Sequence, residues 1–132
     1  MADSRIQPFL LFAGNAEEAM NFYVSLFSGS EILEIARYGA NEAGVEGSVK
    51  KARFSIADES ILCCDSNVQH SFSFTPAFSL FVECSSEGEM NRLHSSLMVG
   101  GTALMPLGNY GFSRQFAWVN DRYSVSWQLN LA

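Results

Sequence analysis

A chain of 132 residues, 48% apolar and 13% aromatic, carries enough hydrophobic material for a substantial buried core and is not disordered. Its net charge of −6 excludes the basic face that a nucleic acid or an anionic membrane surface needs. Only Lys50, Lys51 and Arg53 stand close together among the basic residues, and a solvated strand end accounts for them.

The first element in chain order is an apolar run, Ile6 to Ala13, with Pro8 near its start; it reads as a strand beginning at a sheet edge. Gly14 breaks the run. Asn15, with Glu18 three residues on, has the form of a capping box. Ala16, Ala19, Met20, Tyr23, Leu26 and Phe27 then follow at helical spacing, and Ser28-Gly29 ends the helix. Glu31 to Tyr38 reads as a strand, Gly39 to Gly47 as an irregular loop, and Val49 to Ile56 and Ser60 to Cys64 as two strands about the turn Ala57-Asp58-Glu59. A polar linker, Asp65 to Pro76, leads to a strand at Ala77 to Val82. Ser86 and Glu89 repeat the capping-box spacing, and Met90, Leu93 and Leu97 form the next apolar stripe, closed by Gly100-Gly101. Three strands remain: Thr102 to Met105, Phe112 to Val119, and Tyr123 to Leu131. The last alternates strictly, predicting one packed and one polar face.

The two halves match. Phe9-Leu10-Leu11-Phe12 recurs as Phe78-Ser79-Leu80-Phe81, Met20-Asn21 as Met90-Asn91, and the aspartate turn at Asp58 as that at Asp121. The offsets are 69, 70 and 63 residues. One strand-helix-strand-strand-strand unit is used twice, over about residues 5–65 and 77–131 of a single domain.

The helix start Asn15-Ala16-Glu17-Glu18-Ala19, the run Met105-Pro106-Leu107 and the segment Asp121-Arg122-Tyr123-Ser124-Val125-Ser126-Trp127, set in tandem βαβββ units, resemble the PhnB-like branch of the vicinal oxygen chelate superfamily. That superfamily includes glyoxalase I, bleomycin-resistance proteins and extradiol dioxygenases. The resemblance implies an α+β fold of cupped mixed sheets, a homodimer, and a cavity for a small molecule. Ser124 departs from the pattern, which has Gly there; a φ above zero at this position would strain a serine.

Metal-dependent members of the superfamily place one ligand on the first and one on the last strand of each unit. Carried over, those positions fall on Pro8 or Gln7, on Cys63 or Asp65, on Ala77 or Phe78, and on Gln128. Proline, alanine and phenylalanine offer no side-chain donor, and a neutral amide is a poor ligand for Zn²⁺ or Fe²⁺. The expectation is no superfamily metal and no other cofactor. A label of demethylubiquinone methyltransferase is associated with PhnB-like chains. This sequence lacks the Gly-rich strand-to-helix turn with a downstream acid that holds adenosyl cofactors in doubly wound folds.

His70 in the linker and His94 on the polar side of the second helix read as surface residues. Three cysteines, an odd number, suit a reducing compartment. Cys63 and Cys64 are neighbours on one strand and point to opposite faces. No basic segment followed by an apolar stretch opens the sequence, and no apolar run approaches the roughly 18 residues of a membrane span. A cytoplasmic protein with no membrane partner is expected. Asp65 could serve as a general base at a cavity mouth if its pKa were raised, although a capping or turn aspartate is the plainer reading.

Aromatic residues carry the functional expectation. Trp118 and Tyr110, with Gln128, Arg114 and Asp65 as polar anchors, are the candidate ligand-binding residues for a small, partly apolar or aromatic molecule. Arg53 or Arg114, if inward, would suit a ligand carboxylate or phosphate. Two other readings stay open: a glyoxalase-like metalloenzyme with an atypical site such as Asp65 and Gln128, and a drug-sequestering protein of the bleomycin-resistance type.

Overall fold

The computed structural model describes residues 4–132. The chain divides into two compact units, Met1–Ser71 and Phe72–Ala132. The first contains β1 (Phe9–Phe12), α1 (Ala16–Leu26), β2 (Glu31–Arg37), β3 (Val49–Ile56) and β4 (Glu59–Asp65). The second contains β5 (Ser79–Glu83), α2 (Glu87–Met98), β6 (Thr102–Gly108), β7 (Gln115–Asn120) and β8 (Ser126–Leu131). Each unit is βαβββ, and the fold is α+β. The sheet orders are β1-β4-β3-β2 and β5-β8-β7-β6, mixed in the same way: the first and last strands of each unit pair in parallel, and the other neighbours are antiparallel.

Period two decides which side of each sheet is packed. In the first unit Leu10, Phe12, Ala52, Phe54, Ile61 and Cys63 are buried on the side that α1 covers with Ala16, Ala19, Met20, Tyr23 and Leu26. In the second, Ala117, Val119, Trp127 and Leu129 are covered by Met90, Leu93 and Leu97 of α2. Truncating one such buried leucine to alanine costs about 2–5 kcal/mol. Leu10 of β1 therefore corresponds to Leu80 of β5, and Met20 to Met90, at one offset of 70 residues. The offset of 69 that aligns Phe9–Phe12 with Phe78–Phe81 is one residue out. It would place Leu10, which is buried, opposite Ser79, which lies on the other face.

The α1 N-terminus corrects the sequence expectation. The side chain of Asn15 makes no cap hydrogen bond. The acceptor comes instead from Asp65 at the end of β4, whose Oδ1 lies 2.9 Å from the amide nitrogens of both Gly14 and Ala16. The α2 start behaves as the spacing predicts. Ser86 Oγ accepts from the Glu89 amide at 3.1 Å, and Glu89 reaches back to the Ser85 amide at 2.8 Å. α2 ends where expected because Gly101 sits too close to its neighbours for any side chain: a Cβ there would lie 2.4 Å from the Asn120 carbonyl oxygen.

Two turns hold non-glycine residues in the left-handed region. Ala57 (φ 48°) and Asp58 (φ 67°) form the two-residue link between the paired Ile56 and Glu59 of the β3–β4 hairpin. Ser124 has φ 70°, the strain its departure from glycine implies. β8 starts later than the alternation suggests, because Tyr123, Ser124 and Val125 belong to the Asp121 turn. Its polar face is also not solvated. β8 is an inner strand, flanked by β5 and β7, so Ser126 is 1% and Asn130 9% exposed. Among the described residues no helix is long and apolar enough to cross a membrane.

Candidate functional site

The side of the second sheet turned away from α2 gathers the polar and aromatic groups. At the β5–β8–β7 level, Ser79 pairs with Ser126, and Ser126 with Asn120; at the next, Phe81 pairs with Gln128, and Gln128 with Trp118. Trp118 Nε1 donates to Ser126 Oγ at 2.8 Å. An indole N–H can only donate, so Ser126 Oγ accepts there, and a hydrogen bond of 2.7 Å joins it to Ser79 Oγ. Ser79 Oγ also accepts from Gln128 Nε2 at 3.3 Å. The four side chains thus form one connected polar group. One level further, Asn130 Nδ2 donates to Glu83 Oε2 at 3.0 Å.

An aromatic cluster adjoins this group. The Phe116 ring lies 6.5 Å from Phe81 and 5.0 Å from Phe112, and Tyr110 is 6.4 Å from Phe116. Phe116 is buried, but Phe81 and Phe112 are 54% and 61% exposed, an unusual disposition for large apolar rings. The Tyr110 hydroxyl is tied to the Pro106 carbonyl at 2.5 Å, fixing the ring on the loop after β6.

Of the residues the sequence nominates, Trp118 and Gln128 are brought together, and Tyr110 lies in the adjoining cluster. Arg114 is exposed in the loop before β7 and makes no hydrogen bond or ion pair with the described residues. Asp65 is in the other unit and is 3% exposed. Its two oxygens accept from three backbone amides, Gly14, Ala16 and Val49, each at 2.9 Å. That is the capping arrangement rather than the geometry of a free base. Sequence reasoning missed Ser79, Ser126 and Phe81. The alternation of β8 already places Ser126 on the Gln128 face, and that is the signal that finds it.

The first sheet has a related open face. Ser60 Oγ donates to Gln7 Oε1 at 2.8 Å, two residues before the Phe9–Leu62 pair, which is the pair corresponding to Ser79–Ser126. Arg53 lies on this face, 3.4 Å from Glu34 Oε1. Cys63 faces α1 and is fully buried. Burial first, then the charges of Cys64 and Asp65, pushes its thiol up to about 12. Cys64 is half-buried and raised for the same leading reason. The positions carried over for the metal therefore hold a buried thiol, a carboxylate already bound by amides, the neutral amides of Gln7 and Gln128, and side chains with no donor atom at Pro8, Ala77 and Phe78. This set does not suit a divalent ion. Among the described residues, no group of three or more His, Cys, Asp or Glu side chains is placed to hold one.

A family model described as 3-demethylubiquinone-9 3-methyltransferase matches residues 4–130. The chain belongs to that family. The PhnB protein from Bacillus cereus, which bears the same methyltransferase description, is 52% identical over 98% of this PhnB-like chain and 100% of its own, with a TM-score of 0.95. A protein from Pseudomonas aeruginosa matches at 24% identity over 98% of both chains, with a TM-score of 0.85. The fold extends to the fosfomycin resistance protein FosX from Listeria monocytogenes, solved with Mn(II), at 13% identity over 98% of this chain and 93% of that one, with a TM-score of 0.66. No protein of curated function matches the sequence.

A methyltransferase would need a site for an adenosyl methyl donor. The anion-accepting feature such cofactors use is a helix N-terminus opening from a strand. In this PhnB-like chain the α1 N-terminus is filled by the Asp65 carboxylate, and that of α2 by Ser86 and Glu89. Neither helix start therefore offers unfilled amides of that kind.

Proposed function

We propose that this PhnB-like chain is a homodimer that binds a small, partly aromatic organic molecule against the open face of its second sheet, without the superfamily metal ion. The observation that supports this reading most directly is the connected group Trp118–Ser126–Ser79–Gln128 beside the exposed rings of Phe81 and Phe112. Apolar walls with a few fixed polar groups are the composition of small-molecule sites.

A thermal-shift screen over metals, small carboxylates, phosphonates and aromatics tests the reading. A binder of the folded state raises the melting temperature, and its effect should vanish in Trp118→Ala. A screen with no shift in any organic class would sink it. Stoichiometric metal in the purified protein, lost in Gln128→Ala, would instead favour the metalloenzyme reading. The dimer has its own check: a monomer by light scattering at low micromolar concentration refutes it.

A further inference from the structure

From the unused hydrogen-bonding groups on the open face of the second sheet, we infer that its ligand is an aromatic molecule bearing N–H or O–H donors, neutral or cationic, and not a carboxylate or phosphonate. This rests on the reading that the face binds a small molecule, and it goes further by fixing the ligand's polarity.

The first argument is charge. Across β5, β8 and β7 the side chains on this face are uncharged except Glu83, and β6, Thr102–Gly108, contains no ionisable residue. The one formal charge set in the sheet is negative. Arg114 and Arg122 are the cations nearest in sequence. Both are exposed, so their pull on an anion is weakened by water and salt. The net charge of −6 opposes anion approach further.

The second argument is a donor and acceptor count. Trp118 spends its only N–H on Ser126, one serine proton lies between the two hydroxyls, and Ser79 Oγ is 3.5 Å from the Pro76 carbonyl that takes the other. Gln128 gives one N–H to Ser79, and its Oε1 accepts from no described residue. Asn120 Oδ1, beside Ser126 on the same face, is buried with no hydrogen-bond partner. Glu83 uses Oε2 for Asn130, and Oε1 takes part in no described bond. Gln128 and Asn130 each keep one N–H and Asn120 keeps two, but every amide oxygen has two lone pairs and the Glu83 carboxylate adds acceptors without donors, so the surplus is of acceptors. An anion brings only acceptors and would leave these oxygens unmatched, whereas a phenol, aromatic amine or arylalkyl ammonium supplies what they lack. The half-exposed Phe81 ring offers a stacking surface, and its negative π face favours a cationic ring substituent.

The test titrates the intact protein with a matched set: tyramine, resorcinol, benzoate and phenylphosphonate. Binding is read from the Trp118 indole N–H resonance, assigned by Trp118→Phe; the buried Trp127 resonance reports that the fold is intact. Tyramine and resorcinol should shift the Trp118 signal at concentrations at least tenfold below any effect of the two anions, about 1.4 kcal/mol of discrimination. Gln128→Ala should weaken tyramine at least tenfold. Should that variant unfold, Phe81→Ala, at a half-exposed position, should weaken it severalfold through lost stacking. Benzoate or phenylphosphonate binding as tightly as tyramine would overturn the inference while leaving the binding reading intact. Loss of that anion binding in Arg114→Gln would place the anchor on the loop arginine instead. Silence from all four probes would overturn both.

Discussion

Oδ1 of Asp65 lies 2.9 Å from the amide nitrogen of Ala16, joining the last residue of β4 to the first turn of a helix 49 positions earlier. The same carboxylate holds Gly14 and, through Oδ2, Val49 at the start of β3. One buried side chain thus ties three elements of the first unit and supplies the helix cap that Asn15 does not. In the second unit a different position does similar work: Asp121, in the turn between β7 and β8, accepts from the amides of Tyr123 and Val125 and from Trp127 Nε1.

Removing the Asp65 carboxylate should therefore cost far more than removing a surface charge. Charge-assisted bonds to buried amides contribute about 1.5–3 kcal/mol each and are not additive. Asp65→Ala, which leaves three amides without acceptors, should lose about 3 kcal/mol or more in urea unfolding. Asp65→Asn, which turns one acceptor into a donor facing an amide, should lose nearly as much. Asn15→Ala should change stability by less than about 0.5 kcal/mol, since its side chain caps nothing. A larger loss at Asn15 than at Asp65 would refute this assignment.

Ser124 gives a prediction of the opposite sign. Its φ of 70° costs a residue with a Cβ about 1 kcal/mol, which glycine escapes, while glycine gives back part of the gain through a looser unfolded chain. Ser124→Gly should raise stability by about 0.5–1 kcal/mol, seen as a melting temperature higher by a few degrees. The Ser124 amide to Asp121 carbonyl bond at 2.9 Å uses only backbone and survives the change. Ser124→Ala keeps the strain and should show no gain.

Much of this was legible in the chain. The repeat gave two βαβββ units because each helix stripe and each strand alternation repeats with the right period. What the sequence hid was partnership across distance. Asn15 and Glu18 have the spacing of a cap, yet the cap comes from a residue 49–51 positions away, and local spacing carries no trace of that. The one-residue error in the strand repeat has a similar origin: Phe78 resembles Phe9 in type, but burial obeys parity, and only the sheet reveals which residues lie against the helix. Trp118 and Gln128 were found as types. The serines that join them looked like ordinary polar positions, because alternation tells which residues share a face but not that the face is an inner strand's.

The thiols should be inert in the folded protein. Cys63 is pushed up to about 12 and Cys84 to about 11, both chiefly by burial, and all three cysteines are free. At pH 7.5 fewer than about one in a thousand of either would be thiolate. Ellman's reagent should release less than one equivalent in minutes from the native protein, carried by the half-buried Cys64, and three after denaturation. Fast reaction of Cys63 in the native state, identified by mass mapping, would contradict its place against α1.

His94 supplies a pH dependence whose sign follows from its surroundings. It lies half-buried on α2 rather than fully solvated, and burial lowers its pKa below the ordinary 6.5. The folded state therefore resists protonation there, while the unfolded chain takes up a proton normally. Above about pH 6.5 both states carry a neutral ring and this residue makes no difference. As pH falls through 6.5 the unfolded state binds the proton first, so stability drops, and the drop levels off once the folded state protonates as well. Melting temperature measured from pH 7.5 to 5 should decline for the native sequence and decline less for His94→Gln, with the two curves converging at the alkaline end. A wild-type advantage that grows on acidification would mean that an acidic partner, and not burial, governs this ring.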